Sequence, residues 1–85
     1  MSYDYATERP FLFTEAGQVR FMRVRDRVRD AIAACGAFRL QELRISGWED
    51  IACVDRMVEL GELVELKREC WGQFRVFTTP QVHNL

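Results

Sequence analysis

The chain has 85 residues, of which 48% are hydrophobic and 29% are charged, and its formal net charge is −1. This length suits one small domain, because compact domains usually have roughly 100–150 residues. A chain of this size buries only about 60–65% of its unfolded surface, so we expect a thin core and no deep, water-excluding substrate cleft. The balance of 12 basic and 13 acidic side chains excludes a strong overall field that would attract nucleic acid or an acidic membrane.

The sequence carries no signal for membrane insertion or secretion. No apolar run approaches the roughly 18–20 residues that cross a bilayer. The first residues, MSYDYATERPFLF, are acidic and aromatic, whereas a signal peptide begins with a basic region followed by an apolar one. The three cysteines are odd in number and widely spaced, unlike a disulfide framework. We therefore expect a cytoplasmic protein in a reducing compartment, without a membrane partner.

Residues 1–13 form an aromatic leader. Four aromatic side chains in thirteen residues are too many for a loose tail in water. The pattern indicates that the leader covers one edge of the core or adds a short strand, and the alternative is a reaching arm or a dimerisation surface. The four aromatic residues are Tyr3, Tyr5, Phe11 and Phe13.

The first strong element is a helix over residues 15–35. Thr14 is a suitable N-cap, and Gly36 stands where a left-handed residue often ends a helix. Three arginines form a basic ridge beside the apolar stripe, and residues 15–35 as a whole carry a net charge of +2. At 100° per residue, the apolar side chains that share one stripe are Phe21, Val24, Val28, Ala31, Ile32 and Cys35.

A second long helix is predicted over residues 47–60. Before it, residues 38–40 alternate like a very short strand, and residues 41–44 suit a single helical turn. Ser46 and Glu49 match a capping box, in which the serine caps the helix and the glutamate reaches back. The predicted inward stripe is Ile51, Val54, Met57 and Val58, and the predicted outward face is Trp48, Ala52, Asp55, Arg56 and Glu59.

After Gly61 the period of the apolar residues changes from 3.6 to 2. Residues 63–67 and 74–78 alternate like strands, and the short connection between them contains Gly72. This pattern predicts a hairpin, which Pro80 ends because proline cannot donate to a strand ladder.

These elements follow one another as helix, short strand, short helix, capped helix and hairpin. In this order the chain resembles the winged helix-turn-helix superfamily over about residues 18–79. The segments that carry the resemblance are VRDRVRDAIAACGAFRLQEL (24–43), VDRMVELGELVEL (54–66) and FRVFTT (74–79).

The resemblance implies an α+β fold of three helices with a C-terminal two-stranded wing. It divides the chain into an N-terminal arm (1–13), the winged-helix domain (14–79) and a tail (80–85). Winged helices bind DNA in many proteins and only other proteins in many others, so the resemblance leaves two functions open.

The first interpretation is contact with double-stranded DNA. The second long helix would lie against the major groove, where Arg56 is the one basic residue on an acidic face that phosphates would repel. The wing and the first helix would supply backbone contacts. The ordinary alternatives are an ion pair of Arg56 with Glu59 or Asp55, and a solvated charged face on the first helix. The candidate nucleic-acid-binding residues are Arg56, Lys67, Arg68, Trp71, Arg75, Arg20, Arg23 and Arg27.

The second interpretation is contact with a protein. Residues 47–61 carry a net charge of −3 and begin beside a tryptophan, a residue type enriched at interface hot spots. Such a face suits a basic partner, and a symmetric homodimer through the first helix or the leader is also consistent with the pattern. The candidate protein-interface residues are Trp48, Glu49, Ala52, Asp55 and Glu59.

Catalytic chemistry is not indicated. Cys35, Cys53 and Cys70 have no spacing typical of a metal site, and Cys35 suits a small core position. His83 stands alone in the tail, and no glycine-rich phosphate loop is present. We therefore expect no enzyme activity, no cofactor, no metal and no small-molecule substrate. The sequence favours a small winged-helix, DNA-associated regulator of bacterial or phage type, and the alternative is a winged-helix adaptor or inhibitor that binds protein without DNA.

Overall fold

The computed structural model describes residues 2–66 and 75–83, which form an α+β fold. The expected α+β class is confirmed. In chain order the described elements are α1 (Tyr5–Glu8), a 3-10 helix (Arg9–Phe13), α2 (Glu15–Cys35), β1 (Ala37–Arg39), a second 3-10 helix (Leu40–Leu43), α3 (Gly47–Glu59), β2 (Val64–Leu66), β3 (Val76–Thr78) and α4 (Pro80–His83).

Helix α2 begins and ends at the predicted residues. The Thr14 hydroxyl accepts a hydrogen bond from the Gly17 amide at 3.0 Å, and Gly36 adopts a φ of 76°. Val24 and Val28 are almost completely buried on the predicted stripe. The prediction that Cys35 lies in the core is wrong, because α2 runs past the elements that cover it and leaves its last residue exposed.

The sheet is larger than the predicted two-stranded wing. Among the described residues, three antiparallel strands pair in the order β1–β3–β2. The extra strand is β1, whose central Phe38 lies opposite Phe77 with ring centroids 5.4 Å apart. Burying these two rings together gives a strand of only three residues enough apolar contact to join the sheet. The connection over residues 67–74 lies outside the described part of the chain.

Helix α3 buries a wider face than the apolar pattern predicts. Val54 and Met57 are buried as expected, but Ala52 and Cys53 are also completely buried. The prediction that Ala52 belongs to the outward face is therefore wrong. The reason is that α3 is covered from two directions, by α2 on one side and by the N-terminal leader on another.

The start of α3 is capped differently from the prediction. The Ser46 side chain makes no capping hydrogen bond, so the expected capping box is absent from this turn. Instead the buried carboxylate of Asp50 accepts a hydrogen bond from the Ser46 amide at 2.9 Å. Glu49 does not reach back because its carboxylate pairs with Arg20 at 3.3 Å.

The leader covers the core as helix, not as strand. Leu12 is 5% exposed, and Phe11 packs partly buried against the same core. A Cβ atom on Gly17 of α2 would lie only 1.9 Å from the Phe11 carbonyl oxygen. The leader can approach α2 this closely only because residue 17 has no side chain. The expected cover over the core edge is confirmed, and the expected short strand is wrong.

We predict that Gly17→Ala lowers the free energy of unfolding by about 1–3 kcal/mol, because the added methyl group overlaps the leader backbone. Urea denaturation followed by circular dichroism measures this change. Gln18→Ala, at an exposed position of the same helix, is the control and should change the value by less than about 0.5 kcal/mol. A Gly17→Ala protein as stable as the wild type would contradict this packing of the leader.

Candidate nucleic-acid interface

The outer face of α3 is occupied by the leader. The Tyr3 hydroxyl donates a hydrogen bond to the Asp55 carboxylate at 2.6 Å, and the Tyr3 ring meets Trp48 edge-on. The Tyr5 hydroxyl donates to Glu59 at 2.8 Å. The predicted interface residues Trp48, Asp55 and Glu59 therefore already have partners within the domain.

Glu59 is the centre of a small charge cluster. The guanidinium groups of Arg9 and Arg56 contact its carboxylate at 3.1 Å and 2.6 Å. Hydrogen bonds from Arg56, Tyr5 and Arg9 lower the pKa of Glu59 to about 2. Arg56 also lies over the Phe13 ring, 5.0 Å from its centroid. The alternative interpretation of Arg56 as an ion-pair partner of Glu59 is confirmed.

Arg75 joins α3 to the sheet. Its Nη2 atom lies 2.6 Å from Asp55 Oδ1 and 2.7 Å from Glu65 Oε1, and its guanidinium sits 5.1 Å from the Phe77 ring centroid. The side chain is 18% exposed. The two carboxylates hold the pKa of Arg75 above its usual value. Of the predicted DNA-contacting residues, Arg75 is thus turned toward the domain and not toward solvent.

Arg20 and Glu49 pair with each other, although the sequence placed them in different candidate sites. Arg20 Nη1 lies 3.3 Å from Glu49 Oε2 and 3.4 Å from Asp50 Oδ1. Because the Asp50 side chain is only 7% exposed, this ion pair fixes Arg20 at the wall of a cleft between α2 and the start of α3.

Three exposed arginines line this cleft. Arg23, Arg27 and Arg44 are exposed, and none of them forms an ion pair with a residue in the described part of the chain. We call these three side chains the basic cluster. The cleft has a volume of about 130 Å³ and is lined by Arg20, Arg23, Val24, Arg27, Arg44, Ser46 and Asp50.

Arg44 is the member of the basic cluster that sequence analysis missed. It follows the second 3-10 helix in a left-handed conformation, with φ 53° and ψ 45°, and this turn directs the chain from the 3-10 helix into α3. Its carbonyl oxygen accepts a hydrogen bond from Arg27 at 3.5 Å. The available signal in the sequence was its position in the short turn between the two helical segments predicted over residues 41–44 and 47–60.

Two acids flank the basic cluster on its other side. Asp30 and Glu42 line a neighbouring cleft of about 480 Å³ together with Arg27 and Arg44. Neither acid comes close enough to either arginine to form an ion pair. The cleft on the side of Arg23 and Ser46 also holds a carboxylate, that of Asp50, which pairs with Arg20.

The last candidates to consider are three predicted DNA-contacting residues and the cysteines. Lys67, Arg68 and Trp71 lie outside the described residues. Burial raises the pKa of the Cys53 thiol to about 12, so this cysteine stays protonated. Over residues 2–66 and 75–83, no group of three or more His, Cys, Asp or Glu side chains is placed to hold a metal ion.

Comparison with family models, with curated proteins and with solved structures finds no match to this chain. None of the helices described is long and apolar enough to cross a membrane.

We predict that Glu59→Gln weakens the fold more at pH 7 than at pH 3. In the folded state the pKa of Glu59 is lowered from 4.5 to about 2. Its carboxylate therefore contributes full stability above pH 4.5, and this contribution is lost as the pH falls toward 2. Urea denaturation of both proteins at several pH values measures the difference.

Glu8→Gln is the control for this experiment, because Glu8 is a leader carboxylate that forms no ion pair with a described residue. Its substitution should change stability little at either pH. A Glu59→Gln deficit that stays constant from pH 7 to pH 3 would contradict the arrangement of Tyr5, Arg9 and Arg56 around Glu59.

Proposed function

We propose that this chain is a winged-helix, DNA-associated regulator of bacterial or phage type, which holds the phosphate backbone of duplex DNA through the basic cluster. The order of elements supports this interpretation. Helix α2, the strand β1, a short helix, α3 and the strands β2 and β3 follow one another as in a winged helix-turn-helix. The turn between the short helix and α3 carries Arg44.

The observation that carries the proposal is the arrangement around one cleft of three guanidinium groups that form no ion pair with a described residue. Arginine presents several N–H donors in a planar fork that matches phosphate oxygens. Each neutralised phosphate also releases condensed counterions, and this release supplies most of the binding energy of non-specific complexes. The cleft also contains the Asp50 carboxylate, but this acid is already engaged by Arg20 and by the Ser46 amide.

Base reading has less support than backbone contact. The outer face of α3, which would enter the major groove, is covered by Tyr3, Tyr5 and Arg9. Arg56 is held by Glu59 and Phe13. We therefore infer that binding depends strongly on salt and weakly on DNA sequence while the leader stays in place.

The alternative, a protein-binding module that uses the acidic face of α3, has less support than the DNA proposal. Its premise is an acidic face open to a basic partner. Asp55 is neutralised by Arg75, and Glu59 by Arg9 and Arg56. A partner would have to displace these intramolecular partners before it could use the same carboxylates.

We predict that the wild-type protein retards duplex DNA at about 50 mM salt and that Arg27→Ala and Arg44→Ala each weaken binding on the order of tenfold. Each substitution should also make the slope of log affinity against log salt less steep by roughly 0.9, the value for one lost phosphate contact on B-DNA. Fluorescence anisotropy with a labelled random duplex measures both quantities.

The matched control is Arg29→Ala on the same helix, since Arg29 is exposed but does not line the cleft. It should leave both the affinity and the salt slope nearly unchanged. The proposal fails if random and genomic duplexes are not retained at 50 mM salt, or if Arg29→Ala weakens binding as much as Arg27→Ala and Arg44→Ala.

A further inference from the structure

An open groove lies between the second 3-10 helix and the start of α3. It has a volume of about 390 Å³. Three of its lining side chains are apolar or aromatic and half-buried, and two are polar and exposed. Apolar walls with a few polar groups are typical of sites for small or flat ligands. The groove is lined by Gln41, Arg44, Ile45, Gly47, Trp48 and Ile51.

The Trp48 ring in this groove does not serve the core. Ile45 and Ile51 pack against the buried core, whereas Trp48 is not among the described side chains that do so. Its described ring contact is with Tyr3, which it meets edge-on with the ring centroids 6.5 Å apart and the planes at 70°. A single edge-on neighbour leaves indole surface in the groove against which a flat ligand can stack.

Arg44 connects the groove to the basic cluster, because its side chain lines both the groove and the cleft of about 130 Å³. The cleft contributes the other two arginines of the cluster, and the groove contributes the aromatic ring. Within one nucleotide, the phosphate and the base are separated by a single sugar. A nucleic acid whose phosphate contacts Arg44 therefore has a neighbouring base within reach of Trp48.

We propose that the groove binds one unpaired base of a nucleic acid whose phosphates are held by the basic cluster. Trp48 stacks on the base, and the Gln41 amide, which carries both donors and an acceptor, forms hydrogen bonds with its polar edge. This inference rests on the proposed function and adds to it the class of DNA that is preferred, which is duplex interrupted by an unpaired nucleotide.

An unpaired base fills the groove at a lower cost than a paired one. A paired base must leave its partner and its stacked neighbours before it can reach Trp48, whereas the base of a bulge has no partner to lose. This mode of binding does not require α3 to enter a DNA groove. It is therefore compatible with the leader, which covers the outer face of α3 through Tyr3 and Tyr5.

Two hairpin duplexes that differ at one nucleotide test the proposal. Both carry a one-nucleotide bulge, which is an adenosine in one hairpin and an abasic residue in the other, so their phosphates are identical. Fluorescence anisotropy at about 50 mM salt should show that the wild type binds the adenine bulge on the order of tenfold more tightly, because stacking on an aromatic ring contributes a factor of this size. Equal affinities for the two hairpins overturn the proposal.

Substitution of Trp48 assigns this preference to the groove. Trp48→Ala should reduce the ratio of the two affinities to about one, and Trp48→Phe, which keeps an aromatic face, should retain part of the preference. Each protein meets the same two hairpins, so the change in the ratio is free of any difference between the hairpins themselves. Circular dichroism should show an unchanged fold, since Trp48 lies outside the core. A Trp48→Ala protein that keeps the full ratio overturns the proposal.

Met22→Ala is the matched control for these variants. Met22 is a large apolar residue that is 55% exposed, and it does not line the groove. Its substitution should leave the ratio of the two affinities at the wild-type value. A ratio that falls as far in Met22→Ala as in Trp48→Ala overturns the assignment to the groove.

The emission of Trp48 gives a second readout that leaves the groove unaltered. The chain has two tryptophans, so Trp71→Phe leaves Trp48 as the only one. Stacking of a base on the indole should quench its fluorescence when the adenine-bulge hairpin binds, and the abasic hairpin should change it little. Equal emission in the two saturated complexes overturns the proposal.

The outcomes for this inference and for the proposed function are distinguishable. Arg27 lines the cleft but not the groove, so Arg27→Ala should weaken the binding of both hairpins by the same factor and keep their ratio. If a fully paired duplex is retained and the two bulged hairpins bind equally, the base site fails and the proposed function stands. If neither the paired duplex nor the bulged hairpins are retained, the proposed function fails and the base site fails with it.

Discussion

The packing of α3 on two sides determines which charges of this domain remain available. On one side α3 buries Cys53, Val54 and Met57 in the core that it shares with α2 and the sheet. On the other side, side chains of the leader donate hydrogen bonds to the carboxylates of α3, and an ion pair with Arg75 connects Asp55 to the sheet. A small core of this kind provides limited hydrophobic stabilisation, so peripheral contacts that order a helix face carry a larger share of the stability than they would in a bigger protein.

This packing explains how a chain of net charge −1 acquires a basic surface. The carboxylates of α3 are engaged by arginines from other elements, among them Arg9 and Arg75. The three arginines of the basic cluster, two on α2 and one in the turn before α3, form no ion pair with a described residue. Phosphate binding depends on such local charge and not on the overall balance, because salt screens charges that lie more than roughly 8–10 Å away.

The core packing and the proposed DNA contact use different sides of α2. The core side is occupied by Val24 and Val28, the side facing away from it by Val19 and Met22, and the basic cluster lies between them. One long helix would thus organise both the fold and the ligand surface.

The amino-acid sequence by itself determined the local elements. Thr14 and Gly36 mark the ends of α2, and the switch of period at Gly61 marks the transition from α3 to the sheet, because caps and periodicity are properties of neighbouring residues. It did not predict that Ala52 is buried, that Arg75 faces Asp55, or that Arg44 joins the basic cluster. Those outcomes depend on contacts between residues far apart in the chain. Only the tertiary structure decides which distant side chain pairs with a given charge.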